Sequence, residues 1–129
     1  MEIDFTKQGG LVPAVVQDYA TGEVLMLGFM NAEALRETYQ TGEVTFYSRS
    51  RRKLWRKGEV SGHRLRLRDI RVDCDADALL LNVEATGPGV CHEGYRSCFF
   101  RRLEPDGKAA VIAARTFDPS AVYGEEKKP

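Results

Sequence analysis

His63-Arg64-Leu65-Arg66-Leu67-Arg68-Asp69-Ile70-Arg71-Val72-Asp73-Cys74-Asp75-Ala76-Asp77-Ala78-Leu79-Leu80-Leu81-Asn82-Val83-Glu84-Ala85 is the stretch whose reading decides the fold. From His63 to Arg68 the residues alternate, Leu65 and Leu67 on one face, Arg64, Arg66 and Arg68 on the other. That period of two is the mark of a half-buried strand. Ile70 and Val72 fall on the opposite parity from the leucines, so a bulge or bend is expected near Asp69 to return them to the apolar face. Ala78 to Ala85 is an apolar run of strand length. Two strands therefore flank a short segment holding three aspartates and a cysteine.

Working outward, Leu11 to Asp18 is valine-rich and ends at the turn-like Thr21-Gly22, with Glu23 to Met30 as its hairpin partner. Asn31 is a good N-cap for a helix over Ala32 to Gln40, and Gly42 lies where that helix should stop. Glu43 to Ser48, Cys98 to Leu103 and Ala109 to Ala114 read as further strands. Many short strands and a single helix predict a mainly β (α+β), predominantly antiparallel fold: a small barrel-like or rolled sheet with the helix over one end.

The 129 residues suffice for one domain, 1–129, and 43% hydrophobic content allows a real core. The tail from Gly124 to Pro129 offers nothing to bury and is expected to be disordered. A formal net charge of zero gives no bulk case for binding nucleic acid or a membrane. The N-terminus lacks a secretory pattern, no apolar run approaches membrane-spanning length, and three cysteines cannot all pair. A cytoplasmic protein with free or metal-bound thiols is expected.

All three cysteines lie between Cys74 and Cys98. Thiolates are soft ligands suited to zinc, and carboxylates are hard ligands suited to magnesium. If Asp73 to Asp77 were extended, Asp73, Asp75 and Asp77 would share one face and Cys74 would take the other. Three carboxylates pointing one way repel unless a cation sits among them; a solvated acidic turn is the plainer alternative. Cys91 and Cys98, seven residues apart around Gly94, could loop back to one metal, or could simply be small buried residues. Three cysteines fit a catalytic zinc better than a closed four-ligand site, and zinc brings the pKa of a water it holds to about 7. His92, beside Cys91, is a candidate acid/base, ligand or ligand partner. Arg49, Arg51, Arg52, Lys53, Arg56 and Lys57 crowd nine positions, either as a solvated loop or as a grip on phosphate, with backbone near Gly58 and Gly62 open to close approach. Together these features point to a metal-dependent hydrolase of a phosphorylated small molecule.

Trp55-Arg56-Lys57-Gly58-Glu59-Val60-Ser61-Gly62-His63, Asp73-Cys74-Asp75-Ala76-Asp77-Ala78-Leu79-Leu80, Cys91-His92-Glu93-Gly94 and Ser97-Cys98-Phe99 closely resemble the phosphoribosyl-AMP cyclohydrolase family. Ser48-Arg49-Ser50-Arg51 and the stretch from Leu11 through Ala34 add to the likeness, which covers roughly Leu11 to Leu103. The loop Gly87-Pro88-Gly89-Val90-Cys91 is one residue longer than the family's usual turn.

The resemblance implies hydrolytic opening of the adenine ring of N1-(5-phosphoribosyl)-AMP at the N1–C6 bond, the third step of histidine biosynthesis. It implies zinc on Cys74, Cys91 and Cys98, and magnesium on Asp73, Asp75 and Asp77. It further implies a pseudo-barrel capped by one helix in an intertwined homodimer, with zinc shared between subunits. Arg49, Arg51, Lys57, Gly58 and Ser61 would hold the phosphates or ribose of this nucleotide substrate. Trp55 would stack on a base or serve the core or an interface, and His92 would move protons. Two alternatives stand beside this reading: a non-catalytic zinc module contacting nucleic acid or protein, and a relative acting on another purine nucleotide.

Overall fold

The computed structural model describes residues 2–123; the tail expected to be disordered, 124–129, lies outside them. The two strands anticipated from the 63–85 stretch form a hairpin, β5 (Leu65–Val72) and β6 (Leu79–Ala85). The pairing shifts between Leu67, opposite Val83, and Asp69, opposite Asn82, so Arg68 is the extra residue of a bulge. Leu65 is buried, and Leu67 and Ile70 pack against the core. The parity change is thereby repaired as expected.

The first hairpin is β1 (Val12–Asp18) and β2 (Val24–Met30), and β1 also pairs with β6, in parallel. The resulting sheet runs β2-β1-β6-β5. Between β2 and β5 the chain makes helix α1 (Ala32–Thr41) and a two-stranded ribbon, β3 (Thr45–Ser48) with β4 (Lys53–Arg56). A second ribbon pairs β7 (Arg101–Leu103) with β8 (Ala109–Val111), and a short helix α2 (Pro119–Tyr123) follows. The mainly β class and the predominance of antiparallel pairing hold. The barrel does not: the sheet is open among the described residues, because the long excursion after β2 returns the chain beside β1 in parallel instead of closing β2 onto β5.

The α1 boundaries follow from capping. The Asn31 side chain accepts the N–H of Ala34 at 2.8 Å, and Gly42, at φ 74°, donates its N–H to the Thr38 carbonyl. Buried Thr38 ties the helix to β3 by accepting the Thr45 N–H at 3.0 Å. Val12, Ala14, Val16, Leu25, Met30, Phe46, Leu65, Leu81 and Val83 form the center of the core. Gly28 is required there: a Cβ would lie 2.5 Å from the Phe46 ring. Lys53–Arg56 carries too little periodicity to mark β4, and α2 has no apolar pattern to announce it, although Asp118-Pro119 is a helix-start signal.

Candidate active site

Of the two geometries considered for Asp73 to Asp77, the structure has the turn and not the extended segment. Asp73 Oδ1 accepts the N–H groups of Asp77 and Ala78 at 3.0 and 3.1 Å, the Ala76 N–H reaches the Asp73 carbonyl, and Ala76 sits at φ 61°. The turn nevertheless gathers the carboxylates: one oxygen each from Asp73, Asp75 and Asp77 lies within 4.8 Å of the others. Lys7 supplies the balancing charge, its Nζ 3.2 Å from Asp75 and 3.1 Å from Asp77. Hydrogen bonds to Asp77 and Asp75 raise the Lys7 pKa. Hydrogen bonding with Asp77 and Lys7 holds Asp75 below the usual carboxylate range. Lys7 also pulls on Asp77, but the bond to Asp75, burial and Asp73 outweigh it and leave that carboxyl raised. Three gathered carboxylate oxygens are the donor set a hard cation takes, and such a cation would displace Lys7 from Asp75 and Asp77.

The cysteine loop folds back on itself. Val90 and Cys91 donate their N–H groups to the carbonyls of Arg96 and Tyr95, and Gly94 donates to Cys91. The Cys91 and Cys98 thiols hydrogen-bond to each other, and the Glu93 and Tyr95 N–H groups also reach the Cys91 sulfur. The bond from Cys98 lowers the Cys91 pKa to about 6 against the effect of burial. Cys98 shows part of its surface to solvent. Its thiol is pushed well above the ordinary range by the same bond and by shielding of the sulfur. Two sulfurs this close suit a soft cation, so the longer turn before Cys91 has not prevented the pair from meeting.

Cys74 does not join them within one chain. The Cys98 N–H bonds to Leu25 of β2, at one edge of the sheet, whereas Cys74 is in the β5–β6 turn at the other. Strand spacing and rise put these points roughly 15–20 Å apart, while sulfurs on one zinc lie about 4 Å apart. Asp73, Asp75 and Asp77 are the only three-donor cluster of His, Cys, Asp or Glu among the described residues.

A cleft of about 300 Å³ opens beside the cysteine pair, lined by Trp55, Lys57, Gly58, Ser61, His92 and Cys98, with Met26, Val90 and Tyr123. Six residues singled out from sequence therefore converge. Trp55 packs on Phe46 with ring centroids 5.3 Å apart and also lines the cleft. Lys57 is only 7% exposed, and burial lowers its pKa despite the nearby Cys98 and Cys91. The loop after it is closed by Gly62 N–H to the Gly58 carbonyl at 2.7 Å. Gly58, at φ 91°, has no room for a Cβ against the His63 backbone. Arg49 and Arg51 are elsewhere, at the exposed β3–β4 turn, Arg49 lying 4.1 Å over the Phe29 ring. The basic cluster of the sequence is thus divided by the ribbon.

Sequence reasoning missed the residues that fix the cysteine loop. Arg96 forks onto Asp18 at 2.6 Å and Glu23 at 2.7 Å, and Ser97 Oγ donates to the Val24 carbonyl at 2.8 Å. Burial opposes ionisation of Asp18, but the N–H groups of Thr21 and Ala20, with Arg96, outweigh it and lower its pKa. A charged residue inside a cysteine loop was the available signal. Lys7 had none.

A sequence model of the phosphoribosyl-AMP cyclohydrolase family matches residues 26–100. The chain is 61% identical over 124 residues to the phosphoribosyl-AMP cyclohydrolase of Solibacter usitatus, covering 96% of this chain and 98% of that one. It is 54% identical over 120 residues to that of Nitratidesulfovibrio vulgaris (93% and 94% covered) and 50% over 123 residues to that of Desulforapulum autotrophicum (95% and 98%). With the paired cysteines, the aspartate turn and the Trp55–Ser61 cleft in one fold, these matches lead to one conclusion: the chain belongs to the phosphoribosyl-AMP cyclohydrolase family.

Proposed function

We propose that this chain opens the adenine ring of N1-(5-phosphoribosyl)-AMP by adding water at C6 and breaking the N1–C6 bond. The product is the formimino aminoimidazole carboxamide ribonucleotide, and the step is the third of histidine biosynthesis. The observation that carries this reading is the cleft itself, where Trp55, Lys57, Gly58, Ser61 and His92 surround the exposed side of the Cys91–Cys98 pair. Membership of the family favours an enzyme over a zinc module contacting nucleic acid or protein.

Cys91 and Cys98 would hold zinc with Cys74 from a second copy of the chain, and Asp73, Asp75 and Asp77 would hold magnesium. Zinc so held supplies the Lewis acidity that makes water nucleophilic near neutral pH, and magnesium offsets phosphate charge. Lys57 offers an ammonium whose burial is relieved when an anion enters the cleft. Gly58 and Ser61 shape the loop that approaches the ribose phosphate, and Trp55 presents an aromatic face to the base. His92 stands between the cysteine turn and the cleft, where it can take a proton from the attacking water and return one to the departing N1. Arg49 and Arg51, outside this chain's cleft, would steer the substrate's second phosphate.

A homodimer suits the apolar surface near the β5–β6 turn. Val15, Leu79 and Leu80 line a groove with Val72, which is 37% exposed, and Leu27 on β2 is 42% exposed. No helix among the described residues is long and apolar enough to cross a membrane, and the reduced thiols suit the cytoplasm.

The test is turnover of N1-(5-phosphoribosyl)-AMP, followed by the ultraviolet change on ring opening, before and after chelation and after return of zinc, magnesium or both. Turnover lost on stripping and restored by metal supports the reading. A folded, metal-replete protein without turnover overturns it.

A further inference from the structure

The segment after β8 lies beyond residue 100, where the family match ends, yet it is built onto both loops that make the cleft. Arg115 Nε donates to the Glu93 carbonyl at 2.9 Å, and the N–H groups of Thr116 and Phe117 donate to Gly94 at 2.8 and 3.4 Å. Gly94 sits at φ 98°, and a Cβ there would stand 2.7 Å from the Phe117 carbonyl and 2.9 Å from Pro119 Cδ. The close approach of this strap is therefore what the glycine permits. On its other side the Phe117 ring meets His63 edge-on, centroids 4.8 Å apart. His63 follows the Gly58–Gly62 loop, and its ring has no slack, since a Cβ on Gly87 would lie 2.5 Å from it.

The strap then turns into α2. Asp118 Oδ1 accepts the Ser120 N–H at 3.0 Å, and Pro119 occupies the first helical position. This start directs the helix so that Tyr123 reaches the cleft, which Trp55, Lys57 and His92 also line. The cleft thus carries two aromatic rings, one from the ribbon and one from the strap, and a purine has a π face for each.

We propose that Arg115–Tyr123 is a wall of the nucleotide cleft and that Tyr123 contacts the substrate, stacking on its purine ring. This rests on the nucleotide reading above and adds a binding residue to it. The fork of contacts on Glu93, Gly94 and His63 holds the strap against the cysteine turn and the Gly58–Gly62 loop together, so occupancy of the cleft and docking of the strap stabilise each other.

Two measurements on the full-length protein test this, with AMP as the probe. Trp55 is the only tryptophan and lines the cleft, so its fluorescence reports binding. Tyr123→Ala should weaken AMP binding by roughly tenfold, within the range for loss of one base–aromatic stack, and raise KM more than it lowers kcat. Tyr123→Phe should restore binding to within about twofold, and the metal content of both variants should match that of the wild type. Trypsin cleavage after Arg115 should slow when AMP is present in the wild type, and much less so in Tyr123→Ala. Unchanged AMP affinity in Tyr123→Ala, or cleavage after Arg115 indifferent to AMP in the wild type, overturns the strap proposal while wild-type turnover leaves the cyclohydrolase reading standing. A wild type that neither binds AMP nor turns over N1-(5-phosphoribosyl)-AMP overturns both.

Discussion

Sharing of zinc between subunits can be tested by pairing two inactive chains. Cys74→Ala removes the turn-borne ligand and Cys91→Ala removes one of the looped pair. Each homodimer should be inactive and deficient in zinc, because every site loses one of three thiolates. The roughly 15–20 Å between the Cys98 edge of the sheet and the β5–β6 turn is several times the spacing of sulfurs on one metal, so on the proposed reading each site would draw on both chains. In a heterodimer of the two variants, one site takes Cys74 from the Cys91→Ala chain and the intact Cys91–Cys98 pair from the Cys74→Ala chain. The other site lacks both. Co-expression with two affinity tags isolates this heterodimer, which should hold about half the wild-type zinc and show about half its turnover per dimer. If all three cysteines served one chain's own site, neither site of the heterodimer would be intact. A heterodimer as inactive as its parents would therefore refute the sheet argument.

Three further perturbations probe how the site is held. Arg96→Ala breaks the fork to Asp18 and Glu23 and should lower zinc affinity by about tenfold, the low end for residues supporting metal ligands, as read by competition with a chelator; unchanged affinity would remove Arg96 from the site. The lowered Asp18 pKa makes the stability from this clamp fully present above the ordinary carboxylate pKa and lost as pH falls through the lowered one, so wild type and Arg96→Ala should converge in Tm on acidification. Gly28→Ala drives a Cβ to 2.5 Å from the buried Phe46 ring and should cost about 1–3 kcal/mol in urea unfolding; a neutral result would mean that β2 can move away from Phe46. Lys57→Met removes a buried cation and should raise Tm modestly, by up to about 1 kcal/mol of stability, while abolishing high-affinity nucleotide binding; a loss of Tm would show that the ammonium stabilises the free enzyme.

What was legible in the sequence was whatever local periodicity or capping decides. Leu65, Leu67, Ile70 and Val72 announced β5 and its bulge, and Asn31 and Gly42 bounded α1. The parallel pairing of β1 with β6 was not legible, because it joins residues some 65 positions apart, and nothing local marks that partner. That pairing also explains why an apparent barrel opens into a sheet. At the site, the donor types were readable from chemistry, but the distance of Cys74 from Cys91 and Cys98 within one chain was not. Cys74 and Cys91 are close in sequence yet leave β6 in opposite directions, one before the strand and one beyond its end. The aspartates illustrate a different limit. Alternation put their carboxylates together for the wrong reason, since it is the Asp73-capped turn, with Ala76 in the left-handed region, that gathers them.

That turn also accounts for a feature that looks like a defect when one chain is viewed alone, namely that the aspartate cluster stands outside the cleft it should serve. Cys74 lies between Asp73 and Asp75, and adjacent Cα atoms are about 3.8 Å apart. A second copy that delivers Cys74 to the Cys91–Cys98 pair therefore brings the carboxylates to the same mouth. On the proposed reading, one association step completes the zinc ligands and sets magnesium beside the Lys57 and His92 that line the cleft. The zinc centre could then not mature in a monomer, and a chain that failed to associate would carry unpaired thiols and an idle cleft, although its aspartate turn is already gathered. Lys7, seated on Asp75 and Asp77, offsets their charge in the chain by itself, which lets the turn form before any metal arrives.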